Sequence, residues 1–214
     1  MSVIVFPNSS LSSIACAQFL LDGKPSLSIH LISNSFEVGL MNEAPGIISV
    51  DQWPLVRPHW LSDHGLDAPE GDSTAIRASW LTKSMAISLS ERGATFHTGS
   101  RILETNEESK TMLISIPGEE TSKTIHYDAI IDMPNSTPKT EWRGAVSSEV
   151  PDWAESSGRR TDGTYEFWWT GTEEPENAIQ TMSWVGGSPS TALIDAISEA
   201  SRASDTILMG SMPA

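Results

Sequence analysis

The chain has a single cysteine, Cys16, among 214 residues. An internal disulfide is therefore impossible, and its thiol content gives no sign of an oxidising compartment. Basic residues are also scarce: 13 Lys and Arg stand against 28 Asp and Glu, a formal net charge of -15. A surface of that sign repels phosphate backbones and anionic lipid, which argues against nucleic acid and membrane partners. No apolar run approaches the roughly 20 residues of a membrane-spanning helix. Ala15-Cys16-Ala17 has the form of a signal-peptide cleavage site, but no Lys or Arg precedes Lys24, so the basic start of a secretory leader is lacking. The expectation is a cytoplasmic, acidic protein. Its apolar fraction of 38% suffices for one core.

Glycine is lacking where nucleotide-binding proteins often carry it. Ser2 to Phe6 is a continuous apolar, β-branched run, read as a buried strand. Ser9 or Ser10 can cap a following helix, with Leu11, Ile14, Ala15, Phe19 and Leu21 as its apolar stripe and Gly23 as its end. Leu27 to Ser33 forms a second strand. Strand, turn, helix and strand within about 30 residues is the size of a βαβ unit, which implies parallel strands and a right-handed crossover. The turn inside it reads Pro7-Asn8-Ser9-Ser10.

The rest of the chain alternates irregular and regular stretches. Residues 35–71 hold Pro45, Pro54, Pro58 and Pro69 without a sustained period, and are expected to be a long functional loop with short helical turns. A helix is expected from Asp72 or Ser73, with Ile76, Trp80, Leu81, Met85 and Leu89 on one face and Gly93 as its stop. Ala94 to Thr98 is a strand. Arg101 to Asn106, Thr111 to Ile116 and Thr124 to Met133 form an antiparallel meander ending in the buried run "DAIIDM", whose Ile130-Ile131 is expected in one largely parallel sheet with Val3 to Phe6 and Leu27 to Ile32. Residues 134–163 read as polar and irregular. Tyr165 to Thr170 and Ala178 to Val185 are expected to pair as a hairpin, and Ser190 to Leu208 is a helix. Gly186-Gly187-Ser188-Pro189 before it offers a cap and a first-turn proline.

The order of these pieces resembles the two-dinucleotide-binding-domain flavoproteins, the FAD/NAD(P)-binding oxidoreductases. "ERGATFHTGSRI" (Glu91 to Ile102) is similar to that family's helix end and following strand, and "DAIIDMPNS" (Asp128 to Ser136) partly to its later strand motif. "WVGGSPSTALIDAISEASRASDTI" (Trp184 to Ile207) is similar to its final motif and helix. The resemblance implies an α/β, Rossmann-like FAD/NAD(P)-binding fold with a parallel sheet, an antiparallel β-meander and a small β-rich insertion. It implies one domain over residues 1–214, with 134–185 as a reduced substrate-side insertion. It places cofactor contacts at Pro7, Asn8, Ser9, Ser10 and Ser12, at Asn34, at Ile102, at Asp132, and at Gly186, Gly187 and Ser188.

The departures from the family pattern have physical content. Pro7, Ser9 and Ser12 stand at the three glycine positions of the family's turn. Proline deletes an N–H donor, and Ser9 adds a side chain where the backbone approaches pyrophosphate. Asn34 follows the second strand where an acidic residue is usual, so a ribose hydroxyl would lose a charge-assisted bond. Pro134 and Asn135 replace the later motif's Thr and Gly. The helix N-terminal dipole survives these changes.

Two functions follow from the resemblance. One is an FAD-dependent oxidoreductase acting on a small molecule; NAD(P) in the same fold is a variant of it. The other is a degenerate, cofactor-free member serving as a partner subunit or binding module. No catalytic residue is identifiable. The loop over residues 35–71, with Arg57, His59 and Trp60, and the hairpin around Trp168 are expected to line the site, and Arg159-Arg160 or Arg57 to be solvated or to hold an anion. His59, Asp63, His64 and Asp67 match no metal-site spacing. His30 and His97 are expected to be packed or edge residues, and Cys16 buried filler. Adjacent Trp168 and Trp169 must face opposite sides of their strand, the simplest outcome being two covered faces.

Overall fold

The structure, a computed structural model, describes residues 2–39, 44–63, 69, 70, 72, 74–118, 121–133 and 139–210. Strand β1 (Val3–Phe6), helix α1 (Leu11–Gly23) and strand β2 (Ser28–Ile32) form the βαβ start. Two 3-10 turns, Val50–Gln52 and Pro58–Trp60, interrupt the long loop before α2 (Ala78–Glu91). Strands β3 (Thr95–His97), β4 (Ile102–Asn106), β5 (Thr111–Ser115), β6 (Ser122–His126) and β7 (Ala129–Ile130) follow. The chain then forms β8 (Thr140–Ser147), β9 (Ser156–Arg159), β10 (Tyr165–Trp169), β11 (Gln180–Gly186) and helix α3 (Ala192–Met209).

A parallel sheet in the order β3-β2-β1-β7 forms the centre, as the βαβ spacing requires. Alternation along its strands splits the core into two layers. Ile4, Phe6, Ile29 and Leu31 face the helices. Val5 and Ile32 face the meander β4-β5-β6, meeting Met112, Ile114, Ile125 and Tyr127. The "DAIIDM" run is not the meander's last strand. After β6 the chain leaves the meander, and Asp128 anchors it to β1, accepting from the Val3 N–H at 2.6 Å. Short β7 then joins the parallel sheet, as expected of Ile130, but half-buried rather than buried.

Helix α1 is buried on nearly every side, between the sheet, α2 and α3. Even Gln18 is fully buried, donating to the Met85 carbonyl at 3.1 Å. Gly23 does not terminate the helix by a left-handed turn. It lets α3 approach: a Cβ there would lie 2.6 Å from Leu208 Cδ1. Helix α2 starts later than its spacing suggests. Thr74, Ala75 and Ile76 are held extended by bonds from the Thr74 and Ala75 N–H groups to the Arg159 carbonyl and from Ile76 N–H to Gly46. Ser73 lies outside the described residues. Trp80, placed on the apolar stripe by its spacing, is 44% exposed; the buried stripe runs through Ala78, Leu81, Met85 and Leu89. Gly93 (φ +97°) ends the turn as expected.

The strands β10 and β11 are not a hairpin. Both pair with β8, which lies between them in a sheet ordered β11-β8-β10-β9. Strands β8 and β9 replace the irregular polar stretch read there. Each contains a glycine that marks close approach, not a break. A Cβ at Gly144 would lie 2.6 Å from the Trp168 ring, and one at Gly158 2.4 Å from the Thr74 carbonyl oxygen. Both faces of the sheet are covered. Trp168 packs with Ile47, Val146 and Met182, and Trp169 with Ala145, Phe167 and Trp153.

Helix α3 begins at Ala192, so Ser188 does not cap it and Pro189 is not in its first turn. Thr191 precedes the helix, and its hydroxyl donates to the Asp195 carboxylate at 2.7 Å.

Candidate functional site

A cleft of about 800 Å³ opens at the carboxyl ends of β1 and β2. Ligands of open α/β sheets bind there, outside the strand ends, and the volume lies within the usual range of small-molecule pockets, roughly 300–1,000 Å³. One wall is the β1–α1 turn, with Pro7, Asn8, Ser9, Ser10 and Ser12. Ser33, Asn34 and Ser35 after β2 form a second side, and Ser100, Arg101 and Ile102 at the start of β4 a third. Opposite lie Ser183, Trp184 and Val185 of β11, then Gly187, Ser188 and the first two turns of α3. Asp132 and Gly186 are not among the lining residues. Asp132 stands just behind the turn, accepting from Asn8 Nδ2 at 3.4 Å. Gly186 leaves room for the Trp184 ring, 2.1 Å from where its Cβ would be.

The β1–α1 turn is closed by its own side chains. Asn8 Oδ1 accepts from the Ser10 N–H at 3.1 Å and from the Ser13 hydroxyl at 2.6 Å. Ser10 Oγ in turn accepts from the Ser13 N–H at 3.2 Å, the expected N-cap bond. Asn8 therefore takes up the Ser10 amide and the Ser13 hydroxyl at the helix N-terminus. Among the described residues, the Leu11 and Ser12 amides are left as the orphan donors of the first turn. Pro7 supplies no donor at all. The N-terminus of α3 likewise has its own carboxylate, since Asp195 in its first turn meets the positive end of the helix dipole.

The charges around the cleft are mostly negative. Glu37, Asp195 and Glu199 line it against one guanidinium, Arg101. Glu37 is ion-paired with Lys83. Behind the wall formed by Ala44 and Pro45 lies a buried ion pair. Glu166, 1% exposed, accepts from Arg160 at 2.7 Å, from the Gly46 N–H at 2.7 Å and from Trp168 Nε1 at 2.8 Å. Arg160 is 5% exposed, so the pair fixes this wall from inside.

Several residues expected in the site lie elsewhere. Arg57, His59 and Trp60 converge on Asp22 at the end of α1, together with Arg92. Burial acts to raise the Asp22 carboxyl, but hydrogen bonds from His59, Trp60 and Arg92, with the Arg92 charge, outweigh it and hold the group below its usual range. Their shared work is to tie the long loop to α1 and α2. Trp168 is fully buried; the aromatic that reaches the cleft is Trp184. Arg159 pairs with Asp72 and Arg160 with Glu166, so the arginine pair is engaged within the fold. His64, Asp67, Pro134 and Asn135 lie outside the described residues. Ser35 at the start of the long loop and Ser183 and Trp184 of β11 line the cleft, with Ser100, Arg101 and Asp195, which no residue pattern distinguishes.

His30 and His97 are packed against each other on the meander side of the sheet, Nδ1 to Nε2 3.0 Å, with rings stacked at 5.3 Å. Cys16 is fully buried and its thiol is pushed up to about 12 by burial.

No protein-family model matches the sequence, and no curated protein matches it. Solved structures do match by shape. A geranylgeranyl bacteriochlorophyll reductase-like protein of Thermoplasma acidophilum aligns at TM-score 0.64 and 10% identity, over 98% of this chain and 79% of that one. A triple mutant of the flavin-dependent brominase Bmp2 aligns at TM-score 0.67 and 10% identity, over 98% of this chain and 80% of the other. A flavoprotein/dehydrogenase of Cytophaga hutchinsonii aligns at TM-score 0.62 and 9% identity, over 100% and 80%. At such identities the likeness is one of fold, and the chain has the mixed α/β architecture of FAD-binding flavoproteins, with a central parallel sheet flanked by helices and a meander.

Proposed function

We propose that this chain is a cofactor-free binding module on a flavoprotein-like fold, taking a small molecule in the cleft between the β1–α1 turn, β11 and α3. The observation that carries the reading is the placement of Asn8. Its carboxamide engages two donors at the α1 N-terminus, Ser10 N–H and Ser13 Oγ–H, where a dinucleotide's pyrophosphate would need them free. Asp132 beside it, and Asp195 at the α3 N-terminus, add repulsion for a doubly charged linker.

A second reading, an FAD-dependent oxidoreductase acting on an unknown small molecule, is favoured by the position and volume of the cleft. In it FAD supplies the hydride chemistry, with the Leu11 and Ser12 amides and Asn34 as the groups that would hold it. The two readings differ in colour. Protein purified from a flavin-sufficient host is expected to be colourless and to release no flavin on denaturation. A yellow protein releasing stoichiometric FAD would establish the second reading instead.

A further inference from the structure

The polar groups of the cleft are mostly neutral, and many have no internal partner. Among the described residues, Ser9, Ser12, Asn34, Ser35, Ser183 and Ser188 line the cleft, and their side chains make no hydrogen bond within the chain. Each hydroxyl offers one donor and two acceptor lone pairs, and Asn34 two donors and an acceptor. They come from four separate segments and converge on one space, in the manner of polar groups that orient a ligand. Partly exposed Trp184 adds an apolar ring at the same wall, flanked by Val185, Ile102 and Leu193. Hydroxyls and a carboxamide around an aromatic surface match a ligand that is uncharged, rich in hydroxyl groups and flat or apolar on one side. They match a phosphate poorly, because Asp195 already meets the N-terminus of α3 and Asn8 engages the Ser10 amide at that of α1.

We propose that the cleft binds a neutral polyhydroxylated small molecule bearing a planar ring, a class that includes unphosphorylated nucleosides and ring-bearing polyols. This rests on the cofactor-free reading of the same cleft and specifies its ligand. Ribose rings and open polyol chains present the same chemistry, so the test separates them with matched pairs. Adenosine against AMP, and riboflavin against FMN, are titrated into the full-length protein by calorimetry, with FAD alongside. In at least one pair the neutral member binds measurably, at least about tenfold tighter than its phosphate. Binding by adenosine alone identifies a ribose ring, and by riboflavin alone an open chain. Asn34→Ala, at an exposed position, weakens the neutral ligand about threefold to tenfold, the loss of one hydrogen bond. Binding by neither neutral probe, equal or tighter binding of AMP and FMN, or indifference to Asn34→Ala overturns the inference while leaving the cofactor-free reading standing. Tight, stoichiometric FAD binding overturns that underlying reading itself.

Discussion

Asn8→Ala is expected to make the protein less stable and, at the same time, better at holding an anion. In the wild type the Asn8 side chain makes three bonds: from Ser10 N–H at 3.1 Å, from Ser13 Oγ–H at 2.6 Å, and to Asp132 at 3.4 Å. Ser10 is exposed, so water replaces its lost partner at little cost. Ser13 is fully buried, but it keeps the Ser10 hydroxyl at 3.0 Å. The net loss is therefore that of one good cap, about 1–2 kcal/mol. For a domain of this size that lowers the melting temperature by roughly 2–8 °C. The same change frees the Ser10 amide beside those of Leu11 and Ser12, and ADP affinity should rise about tenfold, the scale of one recovered charge-assisted bond. Urea denaturation and ADP titration of both proteins measure the two effects. A loss of stability with no gain in affinity would mean that Asn8 is only a packing residue, and unchanged stability would show that its bonds do not hold the turn.

Other expectations concern the frame around the cleft. Glu166→Ala leaves the Arg160 guanidinium and the Gly46 and Trp168 N–H groups buried without a carboxylate, and should cost about 3–5 kcal/mol in urea denaturation; a loss under about 1 kcal/mol would show that the pair does not hold the wall. Burial, then the charges of Lys123 and His30, lower His97 from 6.5 to about 4. The unfolded chain then binds the extra proton first, so stability should fall as pH drops from about 6.5 to about 4. His97→Gln should flatten that part of the melting-temperature curve, and an unaltered slope would assign it to other groups. Cys16 should resist a thiol reagent at pH 8 until the protein unfolds, because its thiol is buried and un-ionised; reaction at the rate of a free thiol would place α1 at the surface.

The parts of the fold legible in the sequence are those fixed by local pattern. The β-branched run Val3 to Phe6, the Ser10 cap and the second apolar run at Ser28 to Ile32 sufficed for the parallel start, because strand length and spacing leave one right-handed arrangement. The meander was legible through alternation and its turns. Gly144 and Gly158 hid β8 and β9, since a glycine that admits a tryptophan ring or a carbonyl looks the same in sequence as one that breaks a strand. Without β8, β10 and β11 read as neighbours in the sequence. The β1–α1, Asn34, Ile102 and Gly187-Ser188 segments line one cleft. Arg57 and His59 did not join them, because Asp22 offers a nearer carboxylate that only the folded chain brings within reach. Asn8 carried a readable signal. An Asn two residues before a Ser is a common way to close a turn on the backbone N–H, and here it supplants the missing glycines as the main fact about the turn.

The most direct test of the account is a titration of the purified wild-type chain with FAD, followed by flavin fluorescence and by equilibrium dialysis. The self-closed α1 N-terminus and the carboxylates around it predict that FAD stays in the free pool, with no quenching and no flavin retained after dialysis. A saturable, stoichiometric FAD complex would contradict the account, and would mean that Asn8 yields its place to the pyrophosphate.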